Sequence, residues 1–519
     1  MTGSRLIDRG YTPSIRDVDE LLTIVDEGSD EEAEAAERAV LRIEKRHAEA
    51  RAKKAIARAK GAKRPGRGRL TRLVGRLGTK ESIAFLIEAL ADDDIKTRRN
   101  AARALGKTAP DEAIEKALVA AWDRAQHDDD RRVIGEALGK VGGKEARARL
   151  EGHAALVKAN VMLDRAAARE RRAKIDLARS AKRDLLVRFH CREGLEAILA
   201  DELGKKFRAT IASPGVVEGR LAAPLADVAA IRTAVDFGFP IAKHGEEADA
   251  IVDAVTSKDA LAIFRAFTDV EAGAPIRFRV ALPERRRALL WRIADLVRQR
   301  TKELVNDPRD STWEVRVDRR SIELVPRAFE DPRFSYRAAT VAASSHPTIA
   351  AAIARVAPLR DDDVVWDPFV GAGAELVERA KRGHYKKLIG TDIDPKAIEA
   401  ARTNLARAGI TDVTLEVQDA TTFAPEGVTA ILTNPPMGRR VHRGSHRDLL
   451  SRFAKHAASV LVKGGTLVWT VPEPRIRAVA VEAGLALTRS WKVDMGGFPA
   501  DLSVHTCIAS RGDPTWRAK

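Results

Sequence analysis

"VVWDPFVGAGAELVERA", residues 364–380, runs a strand pattern into a helix pattern across a glycine-containing turn. Val364, Val365 and Trp366 are β-branched or aromatic, the residues from Glu375 to Ala380 favour helix, and Gly371 and Gly373 lie between. Such a turn lets the backbone come close to a ligand at the carboxyl edge of a sheet, where doubly wound folds bind cofactors. Glycine also serves purely steric needs in α/β turns, and dinucleotide-binding folds use similar loops. This stretch alone therefore points to an α/β class and not yet to a chemistry.

The flanking elements extend the pattern from 361 onward into alternating strands and helices, the spacing of a βαβ sheet covered on both faces. "KKLIGTDIDPKAIEAARTNLARAGI" (386–410) reads as a second strand ending in Asp392, then a helix opened at Pro395 and capped by Asp394. An acid at that strand tip can accept from the vicinal hydroxyls of a ribose. "VTLEVQDATTF" (413–423) reads as a third strand ending near Asp419, positioned for the exocyclic amine of an adenine.

The fourth strand, "VTAILTNPPMGRR" (428–440), ends in Asn434-Pro435-Pro436. Two prolines can neither continue a sheet nor open a helix there, so they hold the backbone rigid. The Asn434 oxygen and the following main-chain carbonyl then form a pair of acceptors. Two acceptors can draw the protons of an aromatic amine, such as guanine N2, out of the ring plane, and the recovered lone pair can attack a sulfonium methyl in line. That chemistry requires neither a strong base nor a metal. An isolated Asn-Pro is usually a turn starter, but this one follows a glycine turn and two acidic strand tips. A nicotinamide dinucleotide would use part of that edge; the Asn-Pro-Pro strand argues against it.

Composition bounds the rest. A chain of 519 residues with 45% hydrophobic content has room for about three domains with cores of their own. Ninety-one Lys and Arg against 75 Asp and Glu leave +16, with a pI near 9.9, which suits a polyanionic partner such as nucleic acid. Cys191 and Cys507 are far apart, with no metal-ligand spacing around them, so no disulfide framework, zinc site or other metal is expected. The opening "MTGSRLIDRGYTPS" lacks a signal-peptide core and no long apolar run occurs, so the expectation is a cytoplasmic protein with no membrane partner.

From Asp17 to about Lys182 the pattern is helical throughout. "IAFLIEALADDDIKTRRNAARALGK" (83–107) and "AIEKALVAAWDRAQHDDDRRVIGEALGK" (113–140) each give a helix, an acidic turn and a second helix ending in Leu-Gly-Lys. This pattern resembles HEAT repeats, which offer an extended face to a partner such as a protein and do no chemistry. Residues 53–76 are dense in Lys and Arg and broken by Pro65, Gly66 and Gly68, which reads as a solvated linker or a phosphate-contacting run.

After Lys182 strands appear at 184–190, 276–282, 312–318 and 321–326, with helices at 191–207 and about 284–305. The element order, Gly194-Leu195-Glu196, Glu202-Leu203 and Ile231-Arg232-Thr233-Ala234 resemble the RNA-capture region of THUMP-containing RNA methyltransferases. Arg285, Arg286, Arg287, Arg292, Arg298, Arg300 and Lys302 also give the second helix much positive charge, suited to phosphate.

With "RFSYR" (333–337) and "HPTIAAAIARVA" (346–357) just upstream of the glycine turn, residues 184–512 resemble the THUMP-associated guanine-N2 RNA methyltransferases, which use S-adenosylmethionine. The resemblance implies that Asp367, Phe369, Gly371, Gly373 and Glu375 surround the methionine moiety. It implies that Asp392 holds the ribose, Asp419 the adenine, and Asn434, Pro435 and Pro436 the target amine. Arg439 and Arg440 would contact phosphates beside a flipped nucleotide. Met437 stands where the family usually has an aromatic, leaving stacking to another ring such as Phe498, and Ala374 replaces a common Ser or Thr.

The expected architecture is multidomain: a charged helical segment and basic linker (1–64), all-α HEAT-like repeats (65–155), a helical linker (156–183), an α+β THUMP-like region (184–330) and an α/β Rossmann-like methyltransferase domain (331–519). The expected function is methylation of an exocyclic base amine, guanine N2 of rRNA or tRNA. Adenine N6 or a protein amide are the alternative acceptors, and an RNA-binding scaffold with a relic methyltransferase fold is the non-enzymatic alternative.

Overall fold

The computed structural model describes residues 11–109, 111–150, 153, 156–243, 245–284, 286–342, 344–437 and 445–508. They form two compact units, one of Met1–Lys174, Gly245–Ser257 and Val270–Trp313, the other of Ile175–His244, Lys258–Asp269 and Glu314–Lys519. Residues 184–330 thus divide between the two.

The first unit is built from helical hairpins. Val18–Glu27 pairs with Asp30–Arg42, Ala48–Gly61 with Gly66–Leu77, Lys80–Ala89 with Ile95–Leu105, and Glu112–Arg124 with Asp128–Val141. Side-chain caps open several of them: Ser29 forms a reciprocal capping box with Glu32, Asp94 accepts from Thr97 N–H at 3.0 Å, and Asp111 accepts from Ala113 N–H at 2.9 Å. One continuous apolar core runs from Val18 to Leu163, so each hairpin buries its face against the next.

The basic run 53–76 is not a linker. It lies almost wholly within the helices Ala48–Gly61 and Gly66–Leu77, and its cations meet acids of neighbouring hairpins: Arg58 with Asp26 at 2.7 Å, Arg67 with Asp92 at 2.5 Å, Arg69 with Asp30 at 2.6 Å, Arg72 and Arg76 with Glu37 at 2.5 and 3.0 Å. Gly66 and Gly68 are packing positions, since a Cβ at Gly66 would lie 1.9 Å from Asp26 Oδ1. Residues 156–183 are likewise more than a tether. Helix Val157–Arg169 joins the core through Ala159 and Leu163, buried Arg165 donates to Asn306 Oδ1 at 2.8 Å, and Arg169 pairs with Asp307 at 2.6 Å.

The basic helix spans Arg287–Arg300 and is matched by the acidic helix Ala248–Val255 of the same unit. Arg292 meets Asp249 at 3.0 Å, Arg286 meets Glu246 at 3.7 Å, and Arg300 meets Asp253. These pairs are solvent-exposed, so each contributes little and is readily exchanged for another anion. Arg285 lies outside the described residues.

In the second unit an antiparallel sheet takes the order 210–213, 216–221, 185–190, 236–242, 322–326. Beside it is a seven-stranded sheet of β1 (Val364–Asp367), β2 (Lys387–Asp392), β3 (Thr414–Val417), β4 (Ala430–Thr433), β5 (Thr466–Val471), β6 (Leu485–Asp494) and β7 (Pro499–Cys507). Its order is β3-β2-β1-β4-β5-β7-β6, parallel through β5, with β7 antiparallel to both β5 and β6. β1, β4 and β5 are buried along their whole length, as parallel strands covered on both faces must be. Helices Pro347–Val356, Ala374–Ala380 and Pro395–Arg407 pack over one core; Ser445–Val460 and Pro474–Glu482 pack over the other. Among the described residues no helix is long and apolar enough to cross a membrane.

The part of the middle region that belongs to this unit packs against the sheet. Leu195, the N-cap of helix Glu196–Phe207, and Ile198 within it enter the first core. Gly194, at φ +92°, sits so close to the β6 backbone that a Cβ would lie 1.9 Å from Lys492 O. Arg232 of the Ile231–Ala234 segment pairs with buried Glu378 at 2.6 Å, and Tyr336 Oη donates to the same carboxylate at 3.0 Å.

Beneath the sheet, Arg379 is fully buried and bonded to Asp363 at 2.8 Å and to the carbonyls of Arg360 and His384. Removing one partner of a buried ion pair leaves an uncompensated charge. Asp363→Ala is therefore expected to cost about 3–5 kcal/mol, measured as a lowered denaturant midpoint of the second unit.

Candidate functional site

The parallel register sets the site. β1 aligns Trp366 with Ile389 of β2 and Ile431 of β4, which brings the carboxyl ends of the three strands to one edge. A cavity of about 720 Å³ opens there. Nine of the eleven residues singled out from sequence line it: Phe369, Gly371, Glu375, Asp392, Asp419, Asn434, Pro435, Pro436 and Met437.

Gly371 adopts φ +51°, a left-handed conformation that glycine takes without penalty, and its N–H donates to Asp392 Oδ2 at 3.1 Å. Asp394 N–H donates to Asp392 Oδ1 at 3.0 Å, and Asp394 itself caps the following helix by accepting from Lys396 N–H. An ionised carboxylate offers about four lone-pair positions, so Asp392 keeps acceptor capacity at the cavity wall. Asp419 uses one oxygen for the Thr421 N–H and hydroxyl, both at 2.7 Å; these bonds hold its carboxyl below the usual range, leaving the other oxygen for a ligand.

Asp367 and Gly373 do not line the cavity. Gly373, at φ +81°, caps helix Ala374–Ala380 and packs against Ala401. Asp367 is fully buried beneath the floor, accepting from Thr433 Oγ1 at 2.7 Å and Phe369 N–H at 3.2 Å, while its Oδ2 has no partner among the described residues. Burial first, and then the nearby Glu375 charge, push its pKa well above the ordinary carboxylate value. A strand-tip acid looks the same in sequence whether it points up or down. In this structure Asp367 ties β1 to β4 through Thr433.

Glu375 is almost fully buried in the cavity wall. Burial and Glu378 raise its pKa, the Ser345 bond and Arg337 oppose, and it stands at about 7. Phe369 packs edge-on against Phe453 at 5.2 Å. Phe498 and Met495 also line the cavity, with Met437. Arg439 and Arg440 lie outside the described residues.

The Asn434 amide is engaged at both ends. Its Nδ2 donates to Ser345 Oγ at 2.9 Å, and its Oδ1 accepts from the Thr470 hydroxyl. Neither partner was legible in sequence. Ser345 sits in the loop before helix Pro347–Val356, whose evident signal is the His346-Pro347 cap, and Thr470 lies near the end of β5, beyond the four strands that carry motifs. Position at the carboxyl end of a strand adjoining β4 was the one signal that pointed to Thr470.

Residues 335–497 match the RMKL-like methyltransferase domain family, and residues 52–139 and 83–170 match HEAT repeats. The edge just described lies within the residues that this methyltransferase domain model matches. The tRNA (guanine(10)-N2)-dimethyltransferase of Methanothermobacter thermautotrophicus is 32% identical to the chain over 132 residues, 25% of this chain and 39% of that protein. The tRNA (guanine(6)-N2)-methyltransferase of Thermus thermophilus is 31% identical over 164 residues, 31% of this chain and 49% of that protein. This chain therefore spans about two fifths to one half of these relatives' length. The crystal structure of TrmN from Thermus thermophilus superposes with a TM-score of 0.51 and 22% identity over 62% of this chain and 100% of that one, a likeness of fold. The sequence matches support the resemblance to the guanine-N2 RNA methyltransferases, the superposition supports the fold, and the multidomain layout of helical repeats ahead of an α/β methyltransferase domain stands.

His346 lines the same cavity beside Ser345. Burial, with Arg192, Arg337 and Arg333 adding to it, pushes its pKa from 6.5 down to about 4. A base whose folded pKa is lowered resists the proton that the unfolded chain accepts, so stability declines as pH falls from 6.5 to about 4. An NMR titration of the His346 ring should give a midpoint near 4; a midpoint near 6.5 would mean that the ring is solvated.

Proposed function

We propose that the chain methylates an exocyclic base amine of RNA, guanine N2 foremost, with S-adenosylmethionine as methyl donor. The observation that carries this reading is that Asn434-Pro435-Pro436 faces the same cavity as Gly371, Asp392 and Asp419. The donor set suits the cofactor: a glycine turn without side chains, one carboxylate for vicinal hydroxyls at the tip of β2, and a second beyond β3 for an amine. Asp392 and Asp419 would hold the nucleoside, with Phe369, Gly371 and Ala374 around the remainder. When bound, the cofactor supplies an electrophilic methyl group on a sulfonium.

The chain's own part is to make a poor nucleophile competent. Asn434 Oδ1 and the main-chain carbonyl that follows would accept hydrogen bonds from the two N–H groups of the amine, and the prolines keep both acceptors from yielding. The methylated amine would be a strongly acidic cation that gives its proton to water, so no general base of high pKa is needed. Met437, Met495 and Phe498 offer apolar surface for the target base.

RNA is favoured over DNA or protein by the charge of +16 and by the two relatives, both named as acting on tRNA guanine N2. In this reading the helical repeats supply an extended surface for RNA or a protein partner, residues 184–330 contribute capture of structured RNA, and residues 331–519 do the chemistry, in the cytoplasm.

Incubating the protein with total RNA and methyl-labelled S-adenosylmethionine, then analysing nucleosides, should give labelled N2-methylguanosine. Label in N6-methyladenosine would move the acceptor to adenine, and no label in any nucleoside would favour a scaffold. Asn434→Ala should lower transfer by about 100-fold or more with RNA affinity nearly unchanged.

A further inference from the structure

The chemistry above uses one end of the Asn434 amide, and an amide has two. Turned over, the side chain would present its NH2 to the target amine, donor against donor, and transfer would stop. Four groups in the structure bear on which way it faces. Thr470 donates its hydroxyl proton to Asn434 Oδ1; Asn434 Nδ2 donates to Ser345 Oγ at 2.9 Å; Ser345 Oγ donates to Glu375 Oε1. Ser345 and Glu375 line the cavity, and Thr470 and Glu375 are almost fully buried.

We infer that Ser345 and Glu375 are positioning residues that lock the orientation of the Asn434 amide, and that Glu375 must be ionised to do so. The inference rests on the methyltransferase reading of the cleft. A hydroxyl has one proton to give. While Glu375 is a carboxylate it takes that proton, so Ser345 turns only lone pairs towards Asn434 and accepts only its NH2. The chain of bonds runs one way, each strengthening the next, from Thr470 through the amide and serine to the buried charge. Once Glu375 is protonated it can donate to Ser345 Oγ, whose own proton is then free for an amide oxygen. Both orientations of Asn434 become satisfied, and the preference is lost.

The carboxylate's surroundings make that switch accessible. Glu375 is faced by Asp367 from β1, by Glu378 from its own helix, itself paired with Arg232, by the Ser345 hydroxyl and by the guanidinium of Arg337. Burial, with Glu378 adding to it, outweighs the Ser345 bond and Arg337, and its ionisation falls near neutrality rather than in the ordinary carboxylate range. The implied role of Glu375 as a contact for the methionine moiety is thus recast: its carboxylate acts through Ser345 on the acceptor amide. Sequence marks Glu375 only as the start of a helix, and Ser345 only as part of a loop.

The test uses the full chain and reads the amide apart from turnover. In 15N-labelled protein, the side-chain NH2 pair that disappears in Asn434→Ala should shift with pH with a midpoint near 7, and Glu375→Gln should abolish the shift. Turnover on total RNA should fall as pH drops through the same midpoint. Glu375→Gln and Ser345→Ala should lower turnover roughly 10- to 100-fold, the loss of one charge-assisted bond, while calorimetric affinity for S-adenosylhomocysteine stays within about twofold and Ser345→Thr restores turnover. A pH-invariant amide pair in the parent protein overturns the inference, as does a Glu375→Gln variant that loses S-adenosylhomocysteine binding instead of turnover. A parent protein whose amide titrates as described but transfers no methyl group upholds the orientation device and removes the methyltransferase reading.

Discussion

One buried hydrogen bond, from Thr433 Oγ1 to Asp367 Oδ1 at 2.7 Å, joins the last residue of β4 to the last residue of β1. The residue after Thr433 is Asn434, and the turn after Asp367 contains Gly371. The bond therefore sets the distance between Asn434 and the Gly371 turn, and Asp392, bonded to Gly371 N–H, carries the same constraint across to β2. Each of these strands is held in parallel register by its neighbours, which fixes the strand ends relative to one another.

That rigidity comes at a cost visible in the structure. Asp367 is fully buried with one oxygen unpartnered, close to a second buried acid, Glu375. Two carboxyl groups in one apolar floor destabilise each other's charge. One of them ties β1 to β4 and the other accepts from Ser345 at the cavity wall, and perturbed carboxyl groups of this kind cluster at functional sites.

Much of this was legible in the sequence because it depends on local pattern. The hairpins at 83–107 and 113–140 follow from helical period and acidic turns, and both appear as Lys80–Ala89 with Ile95–Leu105 and Glu112–Arg124 with Asp128–Val141. Asp392, Asp419 and Asn434 were found because strand ends carry turn residues. What escaped depends on partners distant in the chain. The run 53–76 reads identically whether its arginines are solvated or paired, and Asp26, Glu37 and Asp92, which pair them, belong to other hairpins. Arg232 and Glu378 are separated by 146 positions, and Ser345 and Asn434 by 89. The inward-turned Asp367 is held by Thr433, 66 positions away, and has no sequence mark at all.

The account's central claim is that the proline-held amide of Asn434 faces a bound cofactor across this cleft. A crystal structure of the protein with S-adenosylhomocysteine tests it most directly. The ribose hydroxyls should bond to Asp392, the adenine amine should approach Asp419, and the sulfur should point towards Asn434. A ligand bound elsewhere, or an Asn434 side chain turned out of the cleft, would contradict it.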